Sequence, residues 1–129
     1  MILKTSKQLV EEAMQEIVTL DVDEVKKQLN NNPGALLIDI RDIRELKKLG
    51  TVENSTHIPR GMLEFWLDPD SPYYKNQLSP DMPKILFCAS NWRSALAVKA
   101  LNGMGFENIS HVKGGFDALI NSGFKLQKI

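Results

Sequence analysis

Short apolar runs alternate along the chain with stretches in which apolar residues recur at helical spacing. Two runs, residues 35–40 and 84–88, consist mostly of large apolar residues. Continuous runs of this length are typical of strands that are covered on both faces of a parallel sheet. Shorter strands are predicted at residues 17–20, 57–59 and 109–112. The pattern therefore predicts an α/β domain with a mostly parallel sheet.

The predicted helices have recognisable ends. Residues 5–16 carry apolar side chains at helical spacing, and Thr5 or Ser6 can accept hydrogen bonds from the first free amides. Asp21, followed three residues later by Glu24, has the form of a capping box that begins a helix through Leu29. Further helices are predicted over residues 42–49, 62–67, 93–104 and 116–121.

The chain is predicted to form one domain. Its 129 residues are typical of a single hydrophobic core. Residues 68–83 are rich in proline, and we interpret them as an ordered surface excursion rather than a linker between domains. We expect residues 17–129 to form the domain and residues 1–16 to form an N-terminal helical extension, which covers the sheet edge or packs against a second copy.

The charge balance excludes several classes of partner. Sixteen Lys and Arg residues match sixteen Asp and Glu residues, so no long-range field attracts nucleic acid or an anionic membrane. No apolar run approaches the roughly 20 residues that span a bilayer, and the N-terminus lacks the pattern of an export signal. We therefore expect a cytoplasmic protein, in which a free thiol stays reduced, with no nucleic-acid or membrane partner.

The chain contains one cysteine, Cys88, and two histidines, His57 and His111. One thiol cannot form an internal disulfide or a multi-thiolate metal site, and the two histidines lack the spacing of metal ligands. We therefore expect no metal and no cofactor. We interpret His57 as support for the site and His111 as a partly buried histidine with satisfied hydrogen bonds, and neither as a catalytic base.

Cys88 closes the strand 84–88 and precedes a short loop that leads to Arg93 and a helix. Ligands of open parallel sheets bind at the carboxyl ends of the strands. Loop amides, the helix dipole and the Arg93 guanidinium would all favour the thiolate over the thiol. Free cysteines are often inert core residues, but the strand, loop and helix around this one favour a nucleophile.

The segment Cys88-Ala-Ser-Asn-Trp-Arg93-Ser94 resembles the active-site loop of the rhodanese family, although Asn91 and Trp92 stand where small residues are common in that family. Supporting motifs occur in the family's order: residues 37–41 with Glu45, residues 57–61 and residues 114–116. The resemblance covers about residues 17–124. It implies a central, mostly parallel five-stranded sheet with helices on both faces, to which the N-terminal helix is an addition.

The resemblance also implies an activity, the transfer of a sulfane sulfur by a sulfurtransferase of the thiosulfate type. Cys88 would be the nucleophile and would carry the sulfur as a persulfide. The donor would be a small molecule such as thiosulfate, and the acceptor a protein or a low-molecular-weight thiol. The implied substrate-binding residues are Ala89, Ser90, Asn91, Trp92, Arg93 and Ser94. Asp39, Arg41 and His57 are expected to support the site structurally.

Other functions remain open at this point. Related dual-specificity phosphatases have one more residue between cysteine and arginine than the four found here, which makes a phosphatase the less favoured enzyme. The main alternative is a non-catalytic rhodanese-like module for sulfur delivery or protein binding. Trp92 and the apolar residues 62–66 would form its docking surface, whereas core packing is the other interpretation of these residues. A thiol redox sensor fits less well, because the chain has no resolving cysteine.

Overall fold

The computed structural model describes all 129 residues as six α-helices and seven strands. The helices are α1 (Ser6–Glu16), α2 (Val22–Asn31), α3 (Ile43–Leu49), α4 (Leu63–Leu67), α5 (Trp92–Met104) and α6 (Gly115–Asn121). The strands are β1 (Val18–Leu20), β2 (Leu36–Asp39), β3 (Thr51–Val52), β4 (Thr56–His57), β5 (Lys84–Phe87), β6 (Ile109–Val112) and β7 (Leu126–Gln127).

Five strands form one parallel sheet in the order β1-β6-β5-β2-β4. The predicted α/β class and five-stranded parallel sheet are therefore confirmed. The central strand, β5, pairs with β2 on one side and with β6 on the other. Its carboxyl end, which leads directly into Cys88, consequently lies between the ends of two neighbouring strands.

Both faces of the sheet are covered. On one face Ile38 and Leu86 pack in a core with residues of α4 and α5, and on the other Leu37, Ile85 and Phe87 pack with residues of α2 and α6. Successive side chains of a strand point to opposite faces. Because both faces are covered, every residue of β2 and β5 is buried except the half-buried Leu36, which explains why the two strands are mostly apolar.

The helix starts follow the capping signals. Of the two candidate caps, Thr5 is the residue that caps α1, and it forms a capping box with Gln8. Asp21 and Glu24 form the predicted capping box of α2. The hydrogen bond from the backbone of Glu24 is the main cause of the lowered pKa of the exposed Asp21 carboxyl.

Helix α1 packs along α5 of the same chain. Val10 and Ala13 of α1 form a small buried cluster with Ala95, and Met14 and Leu96 lie against it. The N-terminal helix therefore covers the outer side of α5, the helix that follows Cys88.

Three details differ from the sequence-based expectations. The antiparallel ribbon of β3 and β7 was not predicted. Each of its strands has two residues, too few to show the alternation of apolar and polar residues that marks a strand. Strand β4 ends before Pro59, which has no amide hydrogen to donate. The helix predicted from residue 62 begins as a 3₁₀ turn at Arg60–Met62.

None of the helices combines the length and the apolar character that crossing a membrane requires.

The proline-rich excursion is anchored to the core at its C-terminal part. Leu78 is buried, and the Lys84 ammonium donates hydrogen bonds to the carbonyl oxygens of Ser79 and Met82 at 2.7 and 2.9 Å. Burial of Lys84 lowers its pKa to about 8.

Candidate active site

Cys88 follows the last residue of the central strand and is 1% exposed. Its side chain belongs to the core cluster that contains Ile40 and Leu86. Its carbonyl oxygen accepts a hydrogen bond from the Phe116 amide at 2.9 Å, which ties the strand end to α6. The thiol therefore lies at the floor of the site, held from both sides of the sheet.

The loop after Cys88 offers a row of free hydrogen-bond donors. The six backbone amides from Ala89 to Ser94 donate to no oxygen acceptor of the protein. Ala89 and Ser90 are exposed, and α5, a helix of 13 residues, begins at Trp92. Free amides at a helix start, with the positive end of the helix dipole behind them, form a binding site for an anion.

The absence of glycine from this loop has a structural explanation. None of its residues adopts a positive φ, and Asn91, the residue that caps α5, has a φ of −135°. The Asn91 side-chain oxygen accepts a hydrogen bond from the Gly114 amide at 2.9 Å. Asn91, predicted to bind substrate, thus also fastens the loop to the turn before α6.

The glycine that the loop does require lies opposite to it, at Gly115. This residue has a φ of +59°, and a Cβ atom built on it would lie 2.4 Å from the Cys88 carbonyl oxygen. The same Cβ would lie 2.8 and 2.7 Å from the carbonyl oxygens of Ala89 and Ser90. Only glycine allows this approach, so the Gly-Gly turn shapes the cysteine loop.

Arg93, predicted to orient an anionic donor, is paired with Glu45 of α3. Its two terminal nitrogens donate to the two carboxylate oxygens at 2.7 and 3.1 Å, and the side chains are 41% and 31% exposed. These hydrogen bonds raise the pKa of Arg93, to which the negative charges of Cys88 and Asp39 also contribute, and lower the pKa of Glu45. Sequence reasoning noted Glu45 only as part of a motif and missed this contact.

Ser94 connects the thiol to a buried histidine. Its hydroxyl lies 3.5 Å from Cys88 Sγ, 2.7 Å from His111 Nδ1 and 3.2 Å from the Asn91 carbonyl oxygen, which is a further acceptor for its hydrogen. His111 Nε2 lies 3.0 Å from the Thr19 hydroxyl. The expectation of a satisfied histidine is confirmed, but His111 is fully buried rather than partly buried. This burial lowers its pKa to about 4.

Asp39, Arg41 and His57, predicted to support the site, are joined by hydrogen bonds through Arg41. Arg41, 1% exposed, donates to both carboxylate oxygens of Asp39, and its guanidinium carbon lies 4.0 Å from the centre of the Phe116 ring. The Thr51 hydroxyl also donates to Asp39, and His57 Nε2 donates to the Arg41 carbonyl oxygen at 2.7 Å. These contacts hold the ends of β2 and β4 behind the cysteine loop.

Aromatic side chains lie on the surface near the start of α5 and on α4. Trp92 is 49% exposed and Phe65 is 50% exposed, whereas Leu63 is buried. Phe65 meets the ring of Tyr73 edge to face, with 6.3 Å between the ring centres. The apolar segment 62–66 is therefore divided between core and surface. No cluster of three or more His, Cys, Asp or Glu side chains is arranged to hold a metal ion.

The family model described as Rhodanese-like domain matches residues 21–122. A rhodanese domain-containing protein of Drosophila melanogaster is 30% identical over 96 residues, which cover 70% of this chain and 86% of that protein.

Two solved structures share the fold over most of the chain. The 30 kDa polysulfide-sulfur transferase homodimer from Wolinella succinogenes is 34% identical, with a TM-score of 0.74 and coverage of 95% of this chain and 87% of that one. A protein of unknown function from Rhodopseudomonas palustris CGA009, described as a possible tyrosine phosphatase, is 35% identical, with a TM-score of 0.89 and coverage of 98% and 97%.

Replacing Gly115 by alanine is expected to destabilise the protein by about 3 kcal/mol, because a left-handed alanine costs about 1 kcal/mol and overpacking against the loop carbonyls adds about 2. Urea unfolding measures the change. Gly123→Ala is the matched control, since Gly123 has a φ of +106° and open space around it. A loss of only about 1 kcal/mol for Gly115→Ala, the cost of the left-handed backbone alone, would show that the contact with the cysteine loop has no energetic weight.

The buried His111 is expected to make the fold sensitive to acid. The unfolded chain binds a proton on this residue with an ordinary pKa of 6.5, whereas the folded chain binds it only at about 4. The stabilisation is complete above pH 6.5 and declines towards pH 4, by up to about 3 kcal/mol. Urea unfolding across this range should give a flatter profile for His111→Gln; an unchanged profile would refute the assignment.

Proposed function

The chain belongs to the rhodanese-like domain family, and from that premise we propose that it is a sulfurtransferase that works through a persulfide on Cys88. The donor is thiosulfate or a persulfide, including a polysulfide, and the acceptor is a thiophilic small molecule or a protein thiol. The similarity to a polysulfide-sulfur transferase supports this class of reaction.

The observation that carries the proposal is the row of free amides that follows the cysteine. Six consecutive N–H groups without a protein acceptor run from the residue after Cys88 into the first turn of α5. Such a row stabilises negative charge on a sulfur bound there, whether on the thiolate or on the terminal sulfur of a persulfide. Both are anions in this reaction, so one set of donors serves the cysteine before and after loading.

The chemistry consists of two displacements. The Cys88 thiolate attacks the sulfane sulfur of thiosulfate, the sulfur–sulfur bond of the donor breaks, and sulfite leaves with the electron pair. The acceptor nucleophile then attacks the outer sulfur of the persulfide, and the thiolate leaves as the second bond breaks. The sulfane sulfur changes partner twice, and the sequence consumes no external oxidant or reductant.

Arg93 and Glu45 would set the charge preference of the site. Arg93 attracts an anionic donor, but its guanidinium also donates two hydrogen bonds to Glu45. A dianion such as thiosulfate must therefore approach a guanidinium whose charge is largely compensated. This arrangement favours donors that carry less charge than thiosulfate, such as a persulfide monoanion.

A phosphatase is less well supported. One solved relative is described as a possible tyrosine phosphatase. In this chain, however, only four residues separate Cys88 from Arg93, and Cys88 is 1% exposed. A ring of this size suits a single sulfur atom better than a tetrahedral phosphate.

A second candidate is a module that delivers sulfur between proteins without turning over small donors. The half-exposed Trp92, at the end of the cysteine loop, is the observation in its favour. Exposed tryptophans are frequent anchors of protein interfaces. This candidate shares the Cys88 persulfide with the first and differs in the identity of donor and acceptor.

Exposure of the protein to thiosulfate, inorganic polysulfide or glutathione persulfide is expected to add one sulfur atom to Cys88. Intact-mass measurement detects the adduct, and cyanide or dithiothreitol should remove it. Cys88→Ser should show neither the adduct nor thiocyanate formation. If that variant kept thiocyanate formation, Cys88 would not be the carrier; if no donor loaded the native protein, the sulfurtransferase proposal would fail.

Glu45→Gln is expected to lower the KM for thiosulfate roughly threefold, because it releases a partly exposed guanidinium charge worth about 0.7 kcal/mol. Steady-state kinetics with thiosulfate and with glutathione persulfide separates an effect on charge preference from a general one. Glu16→Gln, which removes the same charge from the Lys99 pair on α1 and α5, is the control. An unchanged or higher KM in Glu45→Gln alone would contradict the role assigned to this pair.

A further inference from the structure

A line of hydrogen-bonding side chains leads from Cys88 to the edge of the sheet. Cys88 Sγ lies 3.5 Å from Ser94 Oγ, Ser94 Oγ lies 2.7 Å from His111 Nδ1, and His111 Nε2 lies 3.0 Å from Thr19 Oγ1. Cys88, Ser94 and His111 are buried, and Thr19 of the edge strand β1 is half-buried. The four groups belong to the β5–α5 connection, α5, β6 and β1.

All hydrogen bonds along this line must run in the same direction, either from the sulfur towards Thr19 or from Thr19 towards the sulfur. Each hydroxyl carries one hydrogen, and a neutral imidazole carries one hydrogen on either Nδ1 or Nε2. His111 is neutral under ordinary conditions, because burial lowers its pKa to about 4. Its two nitrogens both face hydroxyl oxygens, so it must accept from one and donate to the other, and both tautomers fit the same atomic positions.

We propose that this line reverses its direction when Cys88 ionises, so that His111 is a positioning residue whose tautomer follows the state of the sulfur. With Cys88 as a thiol, the S–H donates to Ser94, the Ser94 hydroxyl donates to His111 Nδ1, and His111 Nε2–H donates to Thr19. With Cys88 as a thiolate, Thr19 donates to Nε2, Nδ1–H donates to Ser94, and Ser94 donates to the sulfur.

The protons balance in this change. The S–H bond breaks and one proton leaves to water, while His111 keeps a single ring proton that moves from Nε2 to Nδ1. Each hydroxyl keeps one hydrogen and turns it towards the sulfur side. The free hydrogen of Thr19 has a weak acceptor in the thiol state, Met14 Sδ at 4.0 Å.

The thiolate orients Ser94 against a competing acceptor. The Asn91 carbonyl oxygen lies 3.2 Å from Ser94 Oγ, close enough to accept the same hydrogen. Hydrogen bonds to a charged acceptor are roughly twice as strong as those to a neutral one. Once the sulfur is charged, the Ser94 hydrogen therefore turns from His111 Nδ1 to the sulfur rather than to Asn91, and Nδ1–H supplies the hydrogen bond that Ser94 then accepts.

The charged groups around the sulfur act on it separately from this line. Arg93 of α5 attracts the thiolate and donates hydrogen bonds to Glu45 of α3. The same guanidinium also interacts electrostatically with the carboxylate of Asp39 in β2. These groups shift the balance between thiol and thiolate. They do not contact His111, whose hydrogen-bond partners are Ser94 and Thr19.

The use of this line in catalysis rests on the proposed function. A sulfurtransferase needs the thiolate at the start of each cycle and releases it again at the end. The Ser94 hydroxyl donates a hydrogen bond to the sulfur only when the sulfur is charged, so it stabilises the thiolate and not the thiol. Since His111 changes tautomer and not charge, it does so without placing a charge in the core.

The test is to record the ring nitrogen and carbon chemical shifts of His111 by NMR across the pH range in which Cys88 ionises. Ultraviolet absorbance of the thiolate, measured on the same samples, follows the sulfur. The only other histidine, His57, donates from Nε2 to a carbonyl oxygen and serves as the reference for that tautomer. We expect His111 to change from the Nε2–H to the Nδ1–H form in step with the thiolate absorbance.

Two variants separate this coupling from a general effect of pH. In Cys88→Ser the tautomer should stay constant over the same range, because the serine does not ionise. Ser94→Ala should uncouple the tautomer from the sulfur and reduce the thiolate fraction near neutral pH roughly tenfold. Neither expectation needs a sulfur donor, so failure of persulfide formation and failure of the relay are distinguishable. A native protein in which Cys88 ionises while the His111 tautomer stays fixed would overturn the proposal.

Discussion

The contact between Gly115 and the three carbonyl groups after β5 is the constraint on which the site depends. The carbonyl oxygens of Cys88, Ala89 and Ser90 all lie within 2.8 Å of the position that a Cβ of Gly115 would occupy. With the carbonyls turned towards Gly115 and the Asn91 side chain bound to Gly114, the loop is held against the turn that begins α6. Its amides are thereby left free for a ligand.

For the sulfurtransferase that we propose, this arrangement would reconcile the burial of the Cys88 thiol with its reactivity. Cys88 is 1% exposed, and burial by itself favours the neutral thiol over the thiolate. The free loop amides, the start of α5 and Arg93 favour the thiolate instead. The Ser94 hydroxyl can accept a hydrogen bond from the thiol or donate one to the thiolate. In the proposed reaction, the charge on the sulfur would be stabilised by oriented dipoles, most of them from the backbone, that need no movement of the surrounding core.

The local part of the site could be predicted, and the long-range part could not. Cys88, Arg93 and Ser94 lie in one continuous segment between a strand and a helix, so sequence spacing places them together. Glu45 reaches Arg93 across 48 residues of sequence and His111 reaches Ser94 across 17. Neither pairing has a sequence signal stronger than that of an ordinary exposed glutamate or a histidine in a strand.

The amino-acid sequence determined the elements of this protein, since apolar runs and capping residues act through local contacts, and it determined the cysteine loop for the same reason. Tertiary structure alone decided the β3–β7 ribbon, the division of residues 62–66 between core and surface, and the packing of α1 on α5. It also decided the partners of Arg93 and His111. These features depend on which distant groups approach within hydrogen-bonding or van der Waals distance, and only the pairing of strands and the packing of helices fix that.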